Sequence, residues 1–170
     1  MNAHHPLPGR MLARWGAALP WNLSTALWIA AMLTALAWLG RSEQLALLIP
    51  PFAATLTIIA YLPEVAIAQP LAVVCGSVGG AAIGTGLTLL LGFGPEVAVL
   101  AALAAMIALP LLRIFHPPGV ALAMYPALLH PGAVFPLEVV LPFALAAVLS
   151  ASLLSRLLPR FPRYPRALGI

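Results

Sequence analysis

Long apolar runs separated by very short turns dominate this sequence, and they restrict the chain to a fold that lies within a lipid bilayer. Of its 170 residues, 63% are hydrophobic and only 7% are charged, whereas a typical soluble domain carries about 25% charged residues. No polar stretch is long enough to fold as a separate domain. The sequence therefore predicts an integral membrane protein whose main partner is the lipid bilayer.

Six apolar segments follow one another and predict an all-α fold, a polytopic transmembrane helical bundle. Their approximate ranges are 23–39, 45–62, 71–91, 97–112, 116–129 and 137–158. The expected organisation is an N-terminal cytoplasmic tail, a single transmembrane domain and a basic cytoplasmic C-terminal tail, with the boundaries 1–20, 21–158 and 159–170.

The two halves of the transmembrane domain, residues 21–92 and 95–158, share a pattern of helix, proline-broken segment and helix. The pair Pro50-Pro51 recurs as Pro117-Pro118, and the letters PLAVV after the first pair recur as PLEVV after the second. A proline lacks a backbone donor and disfavours helix in the residue before it, so neither pair lies within a regular helix. The pattern predicts two pseudo-repeats inserted in opposite directions. The pattern is compatible with two topologies: six spans, or four full spans with two broken or re-entrant segments.

Arginines cluster at the two ends of the chain and predict a multi-pass protein of the bacterial inner (plasma) membrane with both termini in the cytoplasm. Arg10 and Arg14 precede the first apolar run, and four more follow the last one: Arg156, Arg160, Arg163 and Arg166. Six spans would place Arg113 on the cytoplasmic side, and four would place it outside. Nucleic-acid binding by the tail is the weaker interpretation, because no fold of a nucleic-acid-binding protein accompanies it.

The third apolar segment carries Gly76, Gly80 and Gly84 on one helical face, in two overlapping GxxxG spacings. This spacing allows close packing of helices in lipid, either within the chain or between subunits. The sequence therefore leaves open whether the protein forms a homo-oligomer. We expect Gly80→Leu to disturb assembly more than Ala81→Leu, since only Gly80 belongs to the GxxxG face.

The two proline-broken segments are the best candidates for a binding site. A helix that begins inside the bilayer presents unpaired backbone donors and a partial positive charge, which attract small anions. Irregular backbone at this depth must be buried in protein or line a cavity, so the two segments should meet near the middle of the membrane. The candidate substrate-binding residues are Pro50, Pro51, Phe52, Ala53, Ala54, Thr55, His116, Pro117, Pro118, Gly119, Val120 and Ala121.

His116 stands directly before the second break, where it could donate to an anion, exchange a proton or cap the helix. The chain has no aspartate, no HExxH motif and no phosphate-binding loop of the Walker type, and its glutamates lie near the ends of the apolar segments. We therefore expect no catalytic residue, no metal site and no cofactor. The alternative to a transporter is a structural or regulatory membrane subunit that assembles through the GxxxG face, and an enzyme is a weaker alternative.

Three motifs make the chain resemble the HPP family of integral membrane proteins. They are His116-Pro117-Pro118 with Gly119 and Ala121, Pro51-Phe52 followed by Ala53-Ala54-Thr55, and Gln69-Pro70 followed by Gly76. The resemblance spans roughly residues 20 to 158. It implies a compact bundle, usually described as four-spanning, and a transport role that concerns nitrite in plastid relatives. The resulting hypothesis is a membrane channel or transporter for a small monovalent anion such as nitrite.

Overall fold

The computed structural model describes residues 22–39 and 49–166, and within those ranges every regular element is helical. Helices α1 to α6 run, in chain order, Leu23–Leu39, Ile49–Tyr61, Pro70–Leu91, Pro95–Leu111, Pro117–Leu129 and Leu141–Leu157. A 3₁₀ turn, Ala66–Ala68, precedes α3, and a π-helical turn, Pro136–Val140, leads directly into α6. The expectations for the tail at 1–20, with Arg10 and Arg14, lie outside the described residues.

Prolines define where several helices begin. Pro70, Pro95 and Pro117 occupy the first positions of α3, α4 and α5. The first N–H of a helix has no partner within the helix, so a proline there loses no hydrogen bond, and its fixed φ suits the helix. The prolines that interrupt the apolar runs therefore start helices, and the chain between them turns within a few residues.

Helices α3 and α5 run parallel and in close contact. Gly80 lies against Gly119 and Gly84 lies against Ala123, so the contacts advance in the same direction along both helices. A Cβ at Gly80 would overlap with the carbonyl oxygen of Gly119, and one at Gly84 with that of Ala123. The glycine face that begins at Gly76 is therefore used within the chain and is not available to a second subunit. A homo-oligomer stays a prediction and would need another surface.

One end of the bundle, here termed the arginine end, holds both ends of the described chain. Trp28, near the start of α1, donates its Nε1–H to Ser150 Oγ near the end of α6, at 2.9 Å. Arg166 lies 3.9 Å from Glu64 in the loop between α2 and α3. The described arginines at this end are Arg113, Arg156, Arg160, Arg163 and Arg166.

The opposite end, here termed the acidic end, holds the turns before α4 and after α5. The N–H of Gly94 donates to the carbonyl oxygen of Ala127 at 3.1 Å, and the rings of Phe93 and His130 lie 3.9 Å apart. Among the described residues, the charged side chains here are those of Glu96 and Glu138. Successive helices thus alternate in direction.

The alternation places Arg113 at the same end as the C-terminal arginines, as the six-span arrangement requires. The pseudo-repeat itself stays a prediction. Two stretches, Pro70–Leu91 and Pro136–Leu157, have the length and hydropathy of complete membrane spans, whereas the other apolar helices are shorter.

The two shortest helices, α2 and α5, each have 13 residues, or about 20 Å, against a bilayer core of about 30 Å. His116, directly before α5, packs against Gly76, which lies six residues beyond the start of α3. At the standard rise this is about 9 Å from that end of α3. Helix α5 therefore begins inside the bundle.

Large and small apolar side chains divide between the surface and the interior. Leu90, Ile107 and Leu149 are among the exposed side chains, whereas Ala105 and Ala147 are fully buried. Such a large apolar surface suits lipid rather than water, and small interior residues allow helix backbones to approach closely. The packing is that of a membrane bundle.

The segment after α6 folds back onto the bundle. Phe161 is buried and packs edge-on against Trp28, with ring centroids 5.6 Å apart. Tyr164 is also buried, and its carbonyl oxygen accepts a hydrogen bond from Ser155 Oγ at 2.7 Å. Burial raises the pKa of the Tyr164 phenol, so this side chain is uncharged at neutral pH. The basic segment is thus anchored at least as far as residue 164.

Candidate functional site

A polar junction joins the two proline-broken helices inside the bundle. Thr55, in the second turn of α2, places its Oγ1 3.0 Å from Nε2 of His116. The other ring nitrogen, Nδ1, lies 2.8 Å from the carbonyl oxygen of Ile67 in the 3₁₀ turn. The side chain of His116 is fully buried. These three residues form the junction, which connects α2, α5 and the turn before α3.

Local geometry holds His116 in this position. Its backbone is extended, with φ −135° and ψ 111°, because the proline that follows disfavours helical backbone in the residue before it. The side chain can sit against α3 because residue 76 is a glycine, where a Cβ would lie 2.8 Å from the Cβ of His116. The helix break before α5 and the glycine at position 76 together allow the imidazole of His116 to be buried.

The hydrogen bonds of the junction leave one position where a proton can be gained or lost. A carbonyl oxygen only accepts, so Nδ1 of His116 carries a hydrogen and donates it to Ile67. Thr55 Oγ1 lies close to two acceptors, Nε2 of His116 and, at 3.1 Å, the carbonyl oxygen of Pro51. If Nε2 gains a proton, it donates to Thr55, whose own hydrogen turns to Pro51. The hydrogen-bond geometry of the junction therefore accommodates a proton at Nε2 without moving a helix.

The first turns of α2 and α5 present fewer backbone donors than an ordinary helix start. Pro50-Pro51 occupy the second and third positions of α2, and Pro117-Pro118 occupy the first two of α5. None of the four has an N–H, and the N–H of Gly119 donates to the carbonyl oxygen of His116 at 2.8 Å. The helix dipoles remain. Hydrogen bonds to a ligand would come mainly from side chains rather than from the backbone donors expected from the sequence.

The other candidate residues lie around the junction at different depths. Phe52 is buried and stacks on Phe143, with ring centroids 4.0 Å apart. The backbone of Gly119 lies against Ser77 of α3. Pro51 and Pro118 are buried, Pro50 and Ala54 are exposed, and Ala53, Pro117, Val120 and Ala121 are half-buried. The structure therefore brings Thr55 and His116 together but leaves Pro50 and Ala54 on the outer surface.

Four residues near this interior were not selected from the sequence. Ile67 contributes a backbone carbonyl, which no sequence pattern distinguishes. The hydroxyls of Ser77, Thr85 and Thr88 are all buried. Thr85 and Thr88 follow Ser77 by 8 and 11 residues, a spacing that places all three on one face of a helix. This spacing could have been recognised in the sequence.

A cavity of about 110 Å³ opens at the acidic end of the bundle, beside the last turns of α3. Thr85 and Thr88 lie at its buried base, and Phe93, His130 and Ala133 surround its exposed mouth. Thr85 and Thr88 lie on the same face of α3 as Ser77, so the cavity and Ser77 share one side of this helix.

The interior of the described part of the chain is polar only through hydroxyls and one imidazole. The buried polar side chains there are Thr25, Thr55, Ser77, Thr85, Thr88 and His116. A buried carboxylate or guanidinium is absent from this set. Ionisable side chains inside a membrane bundle are costly and typically mark solute or proton pathways, and His116 is the ionisable member of this set.

A helical bundle with an apolar surface, short helices that begin inside it and a buried histidine between them defines a polytopic α-helical membrane protein with a polar interior. The sequence model of the HPP transmembrane region matches residues 14–165. The chain belongs to the HPP family, as its His-Pro-Pro motif predicts. No curated protein and no solved structure matches it.

Proposed function

We propose that this protein is a membrane transporter or channel for a small monovalent anion, with nitrite as the first solute to test, and that the anion is handled where α2 and α5 meet. The observation that carries the proposal is the buried contact between Thr55 Oγ1 and His116 Nε2. It lies between two short helices whose N-terminal dipole ends favour negative charge. No buried carboxylate of the described chain opposes an anion there.

His116 and Thr55 supply the donors in this proposal. An anion that replaces their mutual hydrogen bond would accept from the Thr55 hydroxyl and from a proton on Nε2, while Nδ1 stays anchored to Ile67. Charge-assisted hydrogen bonds of this kind are roughly twice as strong as neutral ones. A site with only two or three donors binds weakly enough to release its solute, as conduction requires.

The structural-subunit alternative depended on the glycine face as an assembly surface. That face is occupied by α5 of the same chain, so no observation favours this alternative over transport.

Flux through purified protein tests the proposal. The protein is reconstituted into liposomes, and uptake of nitrite, nitrate, formate and chloride is followed with an anion-sensitive dye. We expect nitrite uptake well above that of protein-free vesicles, with weaker uptake of the other anions. The absence of uptake for all four anions would contradict a transport function.

We further propose that the arginine end faces the cytoplasm of a bacterial cell, because cytoplasmic ends of membrane helices carry the excess of arginine. In a Cys75→Ser background, Arg163→Cys should resist a membrane-impermeant maleimide added to intact spheroplasts, and Ala133→Cys should react with it. Both should react after the membrane is permeabilised. The reverse labelling pattern would show that the arginine end faces outward.

Thr55→Val tests the junction, since valine keeps the shape of threonine and removes only the hydroxyl. The change leaves Nε2 of His116 without its partner, which should cost about 1–3 kcal/mol of stability and lower nitrite flux severalfold. Thr57→Val is the matched control, because Thr57 is exposed and its hydroxyl donates only to Ala53 of its own helix. Thermal stability and flux are measured for both variants. Equal behaviour of the two would contradict a role for the junction.

A further inference from the structure

A series of buried hydroxyls runs along one face of α3, from the depth of His116 to the acidic end. Its members are Ser77, Thr85 and Thr88, each less than a tenth exposed. At the standard rise they span about 16 Å. Ser77 lies against Gly119, next to the junction. The series therefore begins beside the proposed anion contacts.

The far end of the series opens into the cavity at the acidic end. Its volume of about 110 Å³ is well above the space that a single water molecule needs. A monovalent solute of a few heavy atoms fits this space. Thr85 and Thr88 lie at the base of the cavity, so a solute there contacts the last members of the hydroxyl series.

The chemistry of this route favours hydrogen-bond donors over bare anions. Thr85 donates its hydroxyl hydrogen to the carbonyl oxygen of Ala81 at 2.9 Å, and Thr88 donates to that of Gly84 at 2.8 Å. Each hydroxyl oxygen then offers only lone pairs to a solute. An anion in such surroundings would lose its hydration without gaining donors, which is very costly.

The charged side chains at the acidic end also disfavour an anion on this route. The titratable groups of the described chain there are His130 at the cavity mouth, Glu96 at the start of α4, Glu138 before α6 and Tyr125 near the end of α5. The two carboxylates repel anions, whereas the described arginines all lie at or near the other end.

We propose that the hydroxyl series and this cavity form the acidic-end half of the solute path, and that the solute passes there as its uncharged conjugate acid. The proposal rests on the transport function proposed above and specifies the chemical form that is carried. The anion takes a proton from hydronium, forming an O–H bond. At the junction that bond breaks: the proton passes to Nε2 of His116, and the anion stays hydrogen-bonded to it and to Thr55. Proton and anion then leave toward the arginine end, where the proton returns to water. Each anion thus crosses with one proton, without electron transfer or net movement of charge.

Proton and charge counting in proteoliposomes tests this directly. Vesicles contain pyranine as a pH indicator, potassium and valinomycin set the membrane potential, and a nitrite gradient is applied. After subtraction of protein-free vesicles, we expect one proton to enter with each nitrite and the final nitrite ratio to be independent of potential. A bare anion would instead shift its ratio by about fiftyfold per 100 mV. Uptake of that kind, without protons, would overturn this inference and leave the transport function standing.

Two variants test the route. Thr88→Val should lower nitrite flux severalfold, and Ala133→Trp, which fills the cavity mouth, should lower it by about tenfold or more. Their controls are Thr57→Val and Ala146→Trp, which alter the same residue types at exposed positions on α2 and α6. Wild-type flux in both test variants would overturn the route. A wild-type protein that transports nothing would overturn the transport function as well.

Discussion

Gly80→Ala should strongly destabilise the protein, although it adds only one methyl group. The added Cβ would overlap with the backbone of Gly119, and a backbone carbonyl cannot rotate away as a side chain can. Helices α3 and α5 would have to separate, and the junction beside them would open. Overpacking typically costs about 1–3 kcal/mol, and we expect about 3 kcal/mol or more here because two helices must move. Gly84→Ala should behave similarly, since Ala123 lies against it in the same way.

Gly86→Ala is the matched control on the same helix. A Cβ at Gly86 meets nothing within 4 Å, so this change should leave stability unaltered or slightly raised, because alanine favours helix over glycine. Thermal stability and monodispersity in detergent are compared for the two variants. Equal melting temperatures for Gly80→Ala and Gly86→Ala would contradict the packing described above. Ala81 is not a suitable control, although the sequence alone suggested it, because its side chain is fully buried.

Helix positions could be predicted closely because prolines mark them. The third apolar run was expected at 71–91 and α3 is Pro70–Leu91, and the fourth was expected at 97–112 and α4 is Pro95–Leu111. Both start at a proline one or two residues before the apolar run. The π-helical turn at Pro136–Val140 could not be predicted, since hydropathy does not distinguish one helical hydrogen-bond pattern from another.

The glycine face could be predicted, but its partner could not. A GxxxG spacing shows that a close neighbour is needed, and it does not show which helix approaches. The partner is α5, whose Gly119 and Ala123 repeat the same four-residue spacing. Only the direction of α5, set by the alternation of helices along the chain, makes the two faces coincide.

The candidate site was located from the proline breaks, whereas its hydrogen bonds depend on long-range packing. His116 was selected because it precedes a break. Its partners lie 61 and 49 positions away, at Thr55 and Ile67, and one of them contributes only a backbone oxygen. Rules based on neighbouring residues cannot predict contacts between residues so far apart in the sequence. The same prolines that identified the site also remove backbone donors from it, which shifts the proposed anion contacts to side chains.

His116→Asn should abolish most of the nitrite flux while leaving the fold intact, and this is the largest functional effect that we expect. Asparagine is favourable directly before a helix, and its amide can still donate to the carbonyl oxygen of Ile67. It is too short to reach Thr55 and has no site for a proton at the Nε2 position. A hydrogen bond to a charged group is worth about 1.5–3 kcal/mol, so losing it should reduce anion occupancy, and with it flux, by roughly 10- to 100-fold.

Comparison with His116→Ala and His116→Gln separates proton handling from packing. Alanine removes both hydrogen bonds and leaves a void in a fully buried position, so it should lower thermal stability as well as flux. Glutamine can reach toward Thr55 but cannot be protonated, so it should keep stability and still fail to transport. We expect the melting temperatures of the asparagine and glutamine variants to stay within a few degrees of wild type. If the glutamine variant transported nitrite as fast as wild type, a neutral donor would suffice at this position, and the proposed proton on Nε2 of His116 would be contradicted.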